Sequence, residues 1–168
     1  MNPLSRLVWG ACLVGSAWRA SAQCPSSGQR TAVAALSLAY TVSAIEGARM
    51  SIRDSLYEQP FGIKSGIPVS RDFYFGFGTA LSPGLPFLLA QAAVTGTLAG
   101  PAPTARKSMD LLAIFGAAYT VGQIAEPLAL RTLAHPRSSE RGFRRLRVVL
   151  GNVVFPAAMG IIAYQACR

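Results

Sequence analysis

Long apolar runs separated by short charged segments dominate the pattern of this 168-residue chain. The runs 73–105 and 148–167 contain no Asp, Glu, Lys or Arg, and the runs 31–45 and 111–125 are equally free of charge. A helix that crosses a bilayer needs about 20 mostly apolar residues, and each run reaches that length with its flanks. The pattern therefore predicts an all-α integral membrane four-helix bundle. Its predicted spans are 31–50, 75–98, 109–134 and 146–166.

The first 22 residues have the pattern of a targeting segment. Arg6 precedes the short apolar run 7–18, and residues 20–22 match an A-x-A cleavage signal. The alternative is an uncleaved short signal anchor, which would add a fifth span. Either way, residues 23–168 form one transmembrane domain with the same predicted orientation.

A basic loop between the last two apolar runs predicts the orientation of the chain in the membrane. Six arginines face one acid, Glu140, between residues 131 and 147. Because short loops rich in Lys and Arg stay on the cytoplasmic side, we expect this loop inside and both termini outside, in a lumenal, periplasmic or extracellular space. The predicted topology determinants are Arg131, Arg137, Arg141, Arg144, Arg145 and Arg147.

The net charge of +9 raises the question of a nucleic-acid partner. The arginines lie between apolar runs rather than on one amphipathic surface, and no nucleic-acid-binding motif accompanies them. Only 14% of residues are charged, against roughly 25% in soluble domains. Membrane lipids, whose anionic headgroups attract such loops, are therefore the predicted partners, and nucleic acid is not.

Two segments of the chain resemble each other. Residues 39–45 and 118–124 share a Tyr-Thr-Val core, and Glu46 or Glu126 follows each segment closely. The next span of each half carries a proline inside and a glutamine further on, Pro83 with Gln91 and Pro156 with Gln165. These features suggest a possible parallel 2+2 internal repeat. Small residues four apart in both segments suggest that the first and third spans pair at the bundle centre. The alternative is chance similarity between Ala-rich helices.

Acids inside or beside apolar spans are candidates for function, because an intramembrane carboxylate is costly. Positions 119, 123 and 126 share one helix face, which predicts a polar pocket facing the first span. Its candidate residues are Tyr40, Ser43, Glu46, Tyr119, Gln123 and Glu126. The alternative is that Glu46 and Glu126 reach the membrane interface and pair with Arg49 and Arg131.

Cysteine and histidine usage adds little further chemistry. Cys24 and Cys167 are both expected on the outer face, where an oxidising compartment would allow a disulfide between them. His135 is the only histidine, so no metal site is predicted. We find no nucleotide-binding or hydrolase motif and predict no cofactor.

The pattern favours a non-catalytic membrane component or accessory subunit. The alternative is a membrane-embedded enzyme or small transporter that acts on a lipophilic or cationic small molecule through its carboxylates. A homo-oligomer or another membrane partner is compatible with either. The layout is similar to small four-span groups such as the DoxX-like proteins and the emopamil-binding group, in span count and length only.

Overall fold

The computed structural model describes residues 25–56, 67–76, 78–135 and 139–168, so the predicted targeting segment lies outside the described residues. Helices make up most of these ranges, and the all-α prediction is confirmed. In chain order the helices are α1 (Ser27–Arg53), α2 (Val69–Phe75), α3 (Leu85–Gly96), α4 (Ala102–Ala125), α5 (Pro127–Ala134) and α6 (Glu140–Gln165). Between α2 and α3, the two-residue strands β1 (Gly78–Thr79) and β2 (Ser82–Pro83) form a small antiparallel hairpin.

Three of these helices, α1, α4 and α6, are long and apolar enough to cross a membrane, within the part of the chain that is described. They contain 27, 24 and 26 residues, which at about 1.5 Å per residue exceeds the roughly 30 Å of a hydrocarbon core. At the start of α1, Ser26 and Gln29 form a capping box that satisfies backbone N–H groups. The three helices fit a membrane protein.

The prediction of one helical span over 75–98 is wrong. The chain there forms the end of α2, the hairpin and α3, and a 3₁₀ turn follows α3. Pro83 and Pro86 lack amide donors, and Gly78 has a φ of +134°, in the region that favours glycine. The helix is therefore completely interrupted at these prolines, and α3 begins with Pro86 in its first turn.

The third span also differs from the predicted helix over 109–134. Helix α4 begins earlier, at Ala102, because a proline in the first helical turn loses no hydrogen bond there. It ends at Ala125, since Pro127 forces the preceding Glu126 into an extended conformation with φ −78° and ψ 119°. The predicted span is therefore divided by a break between α4 and α5.

Helix α6 lies at the centre of the bundle, so the predicted pairing of the first and third spans is wrong. Both α1 and α4 pack more extensively on α6 than on each other. Gly116 of α4 allows the close approach, since a Cβ there would lie 2.5 Å from the Pro156 carbonyl oxygen and 2.7 Å from the Gly160 Cα. Small residues at such crossings allow tight packing in lipid, where the hydrophobic drive between helices is lost.

Contacts at both ends of the bundle show the course of the chain. Arg30 donates to the Gly100 carbonyl at 3.2 Å, so α1 and α4 begin at the same end. Arg145 approaches Asp54 to 3.7 Å, which places the start of α6 beside the end of α1. The chain therefore returns between α1 and α4 through α2, the hairpin and α3.

Helices α1 and α4 run in the same direction, as a parallel repeat requires, but the two halves differ in detail. Pro83 lies in the hairpin, whereas Pro156 lies inside the continuous helix α6. Gln91 is buried and Gln165 is exposed. The internal repeat therefore stays a prediction.

Candidate functional site

A small polar cavity of about 90 Å³ lies between α1, the hairpin and the end of α4. Both apolar and polar side chains line this cavity, whereas the long helices around it consist mostly of apolar residues. The polar lining residues are Tyr40, Thr79, Ser82, Tyr119, Gln123 and Glu126. A water needs roughly 10–15 Å³ of such space, so the cavity is large enough for several waters or one small ion.

Two stacked tyrosines form one wall of this cavity. The rings of Tyr40 and Tyr119 lie 4.9 Å apart between centroids and are inclined by 28°. Phe115 stacks on the other side of Tyr119 at 5.6 Å. The Tyr119 hydroxyl also donates to the Phe87 carbonyl oxygen at 3.0 Å, which ties α4 to α3. These contacts fix both rings at the cavity.

Glu126 also lines the cavity and is only 5% exposed. It occupies the break between α4 and α5, and its carbonyl oxygen accepts from the Leu130 amide at 3.2 Å as the first bond of α5. One turn earlier, the Gln123 side-chain nitrogen is buried and has no hydrogen-bond partner within the described ranges. The helix break therefore places a carboxyl group and an amide donor at one cavity.

The hairpin also lines the cavity and lies deep among the helices. Its tip residue Leu81 is fully buried, and its carbonyl oxygen accepts from the Asn152 side chain at 2.6 Å. A Cβ at Gly47 would overlap that same carbonyl oxygen. Inside a bilayer, non-helical backbone would be tolerated only where protein or a water-filled cavity surrounds it. The buried hairpin meets this condition.

The remaining predicted pocket residues lie elsewhere. The Ser43 hydroxyl donates to the Val148 carbonyl at 3.3 Å, toward α6. Glu46 lines a separate groove together with Arg49. Four of the six candidates, Tyr40, Tyr119, Gln123 and Glu126, thus share the cavity, and these two do not. The Ser43 hydroxyl is bonded to α6 and Glu46 lines the separate groove, whereas Tyr40 of the same helix lines the cavity.

A second polar cluster was missing from the sequence prediction. Gln91 of α3 is fully buried, and its side chain donates to the Ser37 hydroxyl at 2.7 Å and the Ser37 carbonyl at 3.3 Å. Thr95 lies 2.7 Å from the same Ser37 hydroxyl. From the sequence, Gln91 was assigned only to the internal similarity. An uncharged polar residue in an apolar run is nevertheless itself a signal for interhelical hydrogen bonding.

The predicted disulfide involves Cys24, which lies outside the described residues. Within the described residues Cys167 forms no disulfide, and its Sγ donates to the Arg106 carbonyl oxygen at 3.8 Å. Burial, and secondly the charge of Asp110, raise the pKa of Cys167 to about 11. The thiol is therefore protonated at neutral pH.

Basic residues lie at the neighbouring ends of α5 and α6. Five of the six predicted topology arginines lie on α5 and α6, namely Arg131, Arg141, Arg144, Arg145 and Arg147. The sixth, Arg137, lies outside the described residues. His135 is exposed at the end of α5. Among the described residues, no group of three His, Cys, Asp or Glu side chains could hold a metal ion.

No family model, curated protein or solved structure matches this chain. The chemistry available at the cavity is therefore argued from its side chains. A carboxyl group, an amide and two phenols can accept and donate hydrogen bonds and attract a cation. The lining residues include neither a histidine nor a cysteine, and this set suits binding or proton transfer more than covalent catalysis.

Proposed function

We propose that this chain is an integral membrane protein that binds a proton or a small monovalent cation at Glu126. The observation that carries the proposal is the position of a buried carboxyl group in the lining of a polar cavity that two stacked tyrosines also line. Intramembrane carboxyl groups are expensive and commonly mark ion or proton sites.

The broken backbone around the cavity supports the same function. Small-solute sites in membrane transporters lie where helices are interrupted, because free backbone groups and helix ends can face a ligand there. The cavity is bordered by two such interruptions, the hairpin at Thr79–Ser82 and the break at Glu126. This arrangement favours the small-transporter alternative over an enzyme.

The probe for this proposal is methylammonium, a monovalent cation small enough for the cavity. We expect it to raise the melting temperature of the purified full-length protein in detergent, at constant ionic strength, whereas tetraethylammonium is too large to do so. Glu126→Gln removes the charge at almost unchanged size and abolishes the shift. The protein should also take up labelled methylammonium when reconstituted in vesicles.

Glu46→Gln is the matched control, because Glu46 lies in a different groove. It should leave the methylammonium shift unchanged. A shift that survives Glu126→Gln, or one that tetraethylammonium produces equally, would contradict the proposed site. Equal loss in both variants would indicate a surface charge effect.

The orientation belongs to the same proposal, with the end of α5 and the arginine-rich start of α6 on the cytoplasmic side and both termini outside. Position 139 at the start of α6 and Cys167 after its end report opposite sides of the membrane. In sealed right-side-out vesicles, a membrane-impermeant thiol reagent at high pH should label Cys167 and spare Ser139→Cys. The reverse pattern would overturn the orientation.

A second candidate function is that of a non-catalytic membrane component. The observation that favours it is an apolar groove of about 490 Å³ between α4 and α6, whose floor consists of small residues such as Ala117 and Gly160. Small residues of this kind suit contact with a helix of another subunit. Ala117→Trp should fill the groove and disrupt any larger assembly seen by native mass spectrometry, whereas Ala35→Trp on the exposed face of α1 should not.

A further inference from the structure

A second groove lies on the outer surface, at the arginine-rich end of the bundle. It has a volume of about 450 Å³ and runs between the last turns of α1 and the first turns of α6. The side chains that line it are Val42, Ile45, Glu46, Arg49, Met50, Arg53 and Arg144. It does not share a residue with the polar cavity at Glu126.

The groove is divided along α1 into an apolar and a cationic part. Val42 and Ile45 are 64% and 40% exposed and lie toward the middle of the helix. Arg49 and Arg53 follow at the helix end, a little over one turn apart from one another. At about 1.5 Å per residue, the distance along the axis from Val42 to Arg53 is roughly 16 Å.

The charges in the groove are incompletely neutralised. Arg53 is bonded to Asp54 at 2.9 Å. Within the described residues, Arg49 and Arg144 have no ion pair, and Glu46 has none either. The pairing of Glu46 with Arg49 that the sequence suggested is therefore absent from this part of the structure. The three arginines and one glutamate leave an excess of positive charge.

The two walls are held together by Asp54, which contacts Arg53 on α1 and Arg145 on α6. The bonded Arg53 is the main reason that the pKa of the Asp54 carboxyl group is lowered, so the carboxylate is charged at neutral pH. Arg49 of α1 and Arg144 of α6 thereby line the same groove, although they belong to separate helices.

We infer that this groove binds one anionic phospholipid. The phosphate lies among Arg49, Arg53 and Arg144, and an acyl chain lies along Val42 and Ile45. Guanidinium groups bind phosphate oxygens through charge-assisted, often bidentate hydrogen bonds. The apolar part lies on the membrane side of the arginines, which is the order of chain and headgroup in a lipid. A free phosphate would use only the cationic part of this groove.

The test is a titration of the purified full-length protein with phosphatidylglycerol or phosphatidylcholine of equal chain length, followed by native mass spectrometry. We expect phosphatidylglycerol to bind more tightly. The double variant Arg49→Gln, Arg144→Gln should lose about tenfold in its affinity, since each basic residue near an anionic headgroup contributes substantially. The control Arg131→Gln, Arg147→Gln removes the same charge from exposed positions outside the groove and should change the affinity less than about twofold.

Glu46→Gln supplies a test of opposite sign. Because it removes the only negative charge lining the groove, we expect it to increase phosphatidylglycerol binding, and a misfolded protein would not show such a gain. Asp110→Asn, at the other end of the bundle, is the matched control and should have no effect. Equal effects of the groove and control variants, or no gain with Glu46→Gln, would overturn the inference. Displacement of the lipid by glycerol phosphate at similar concentration would overturn it in favour of a free-phosphate site.

Discussion

The side-chain amide of Asn152 donates a hydrogen bond to the backbone carbonyl of Leu81 at 2.6 Å. Both residues are almost completely buried. The bond links the central helix α6 to the tip of the hairpin, where the carbonyl has no helical partner. In a membrane, water cannot replace this donor, so the hairpin depends on Asn152 to remain among the helices.

Replacing Asn152 by leucine should destabilise the hairpin and, with it, the cavity at Glu126. Leucine has a similar size but leaves the Leu81 carbonyl without its donor, which costs about 1–3 kcal/mol of unfolding free energy. Thermal unfolding in detergent, followed by circular dichroism, measures the effect. Gln165→Leu, an exposed amide on the same helix, is the control. Equal melting temperatures for the two variants would contradict the anchoring role.

Gly47→Ala tests the other contact of the hairpin. Alanine is favoured over glycine inside a helix by about 1 kcal/mol, so an uncrowded site should gain stability. At Gly47 the added Cβ would overlap the Leu81 carbonyl oxygen, and we expect a lower melting temperature instead. Gly122→Ala has no atom within 4 Å of the added Cβ and should be neutral or stabilising. If Gly47→Ala stabilises as much as Gly122→Ala does, the close approach of the hairpin is wrong.

The long helices could be predicted because their apolar runs are long enough to cross a membrane and lack charges. Their ends could not be predicted, because single residues decide them. Pro103 lies within the first turn of α4 rather than in a loop, whereas Pro127 ends that helix. Pro156 lies inside the continuous helix α6. The difference depends on position in the hydrogen-bonding pattern and on packing, which residue type alone does not specify.

The lining of the cavity could be predicted only in part. Tyr119, Gln123 and Glu126 share a helix face by spacing, and the structure places all three at the cavity. The hairpin residues Thr79 and Ser82 were missed, because a helix had been expected there. Which face of α1 meets this site depends on α6, since α6 rather than α4 is the main neighbour of α1.

Thr95→Val should weaken the packing of α3 against α1. The Thr95 hydroxyl lies 2.7 Å from the Ser37 hydroxyl, which also accepts from Gln91 at 2.7 Å. Valine keeps the shape and removes this bond, so we expect a loss of about 0.6–1.7 kcal/mol in unfolding free energy. Thr120→Val is the matched control, since its hydroxyl bonds only to Gly116 of its own helix. Chemical denaturation in mixed micelles compares the two, and equal losses would show that the interhelical bond contributes nothing.

Cys167 should react slowly with alkylating reagents until the pH is strongly alkaline. Burial, followed by the nearby Asp110, raises the pKa of the thiol to about 11 from an ordinary value of 9.0. Because only the thiolate reacts, alkylation at pH 8 should be about 100-fold slower than that of an unperturbed thiol and should increase up to about pH 11. The raised pKa also means that the neutral thiol stabilises the fold below pH 9, and that this contribution is lost as the pH rises through 11.

The predicted reactivity of Cys167 is tested by the rate of iodoacetamide labelling, measured by mass spectrometry in a variant with Cys12→Ser and Cys24→Ser. Asp110→Asn should shift the pH profile of the rate to lower pH, and a profile centred near pH 9 in the parent protein would show that the thiol is open to solvent.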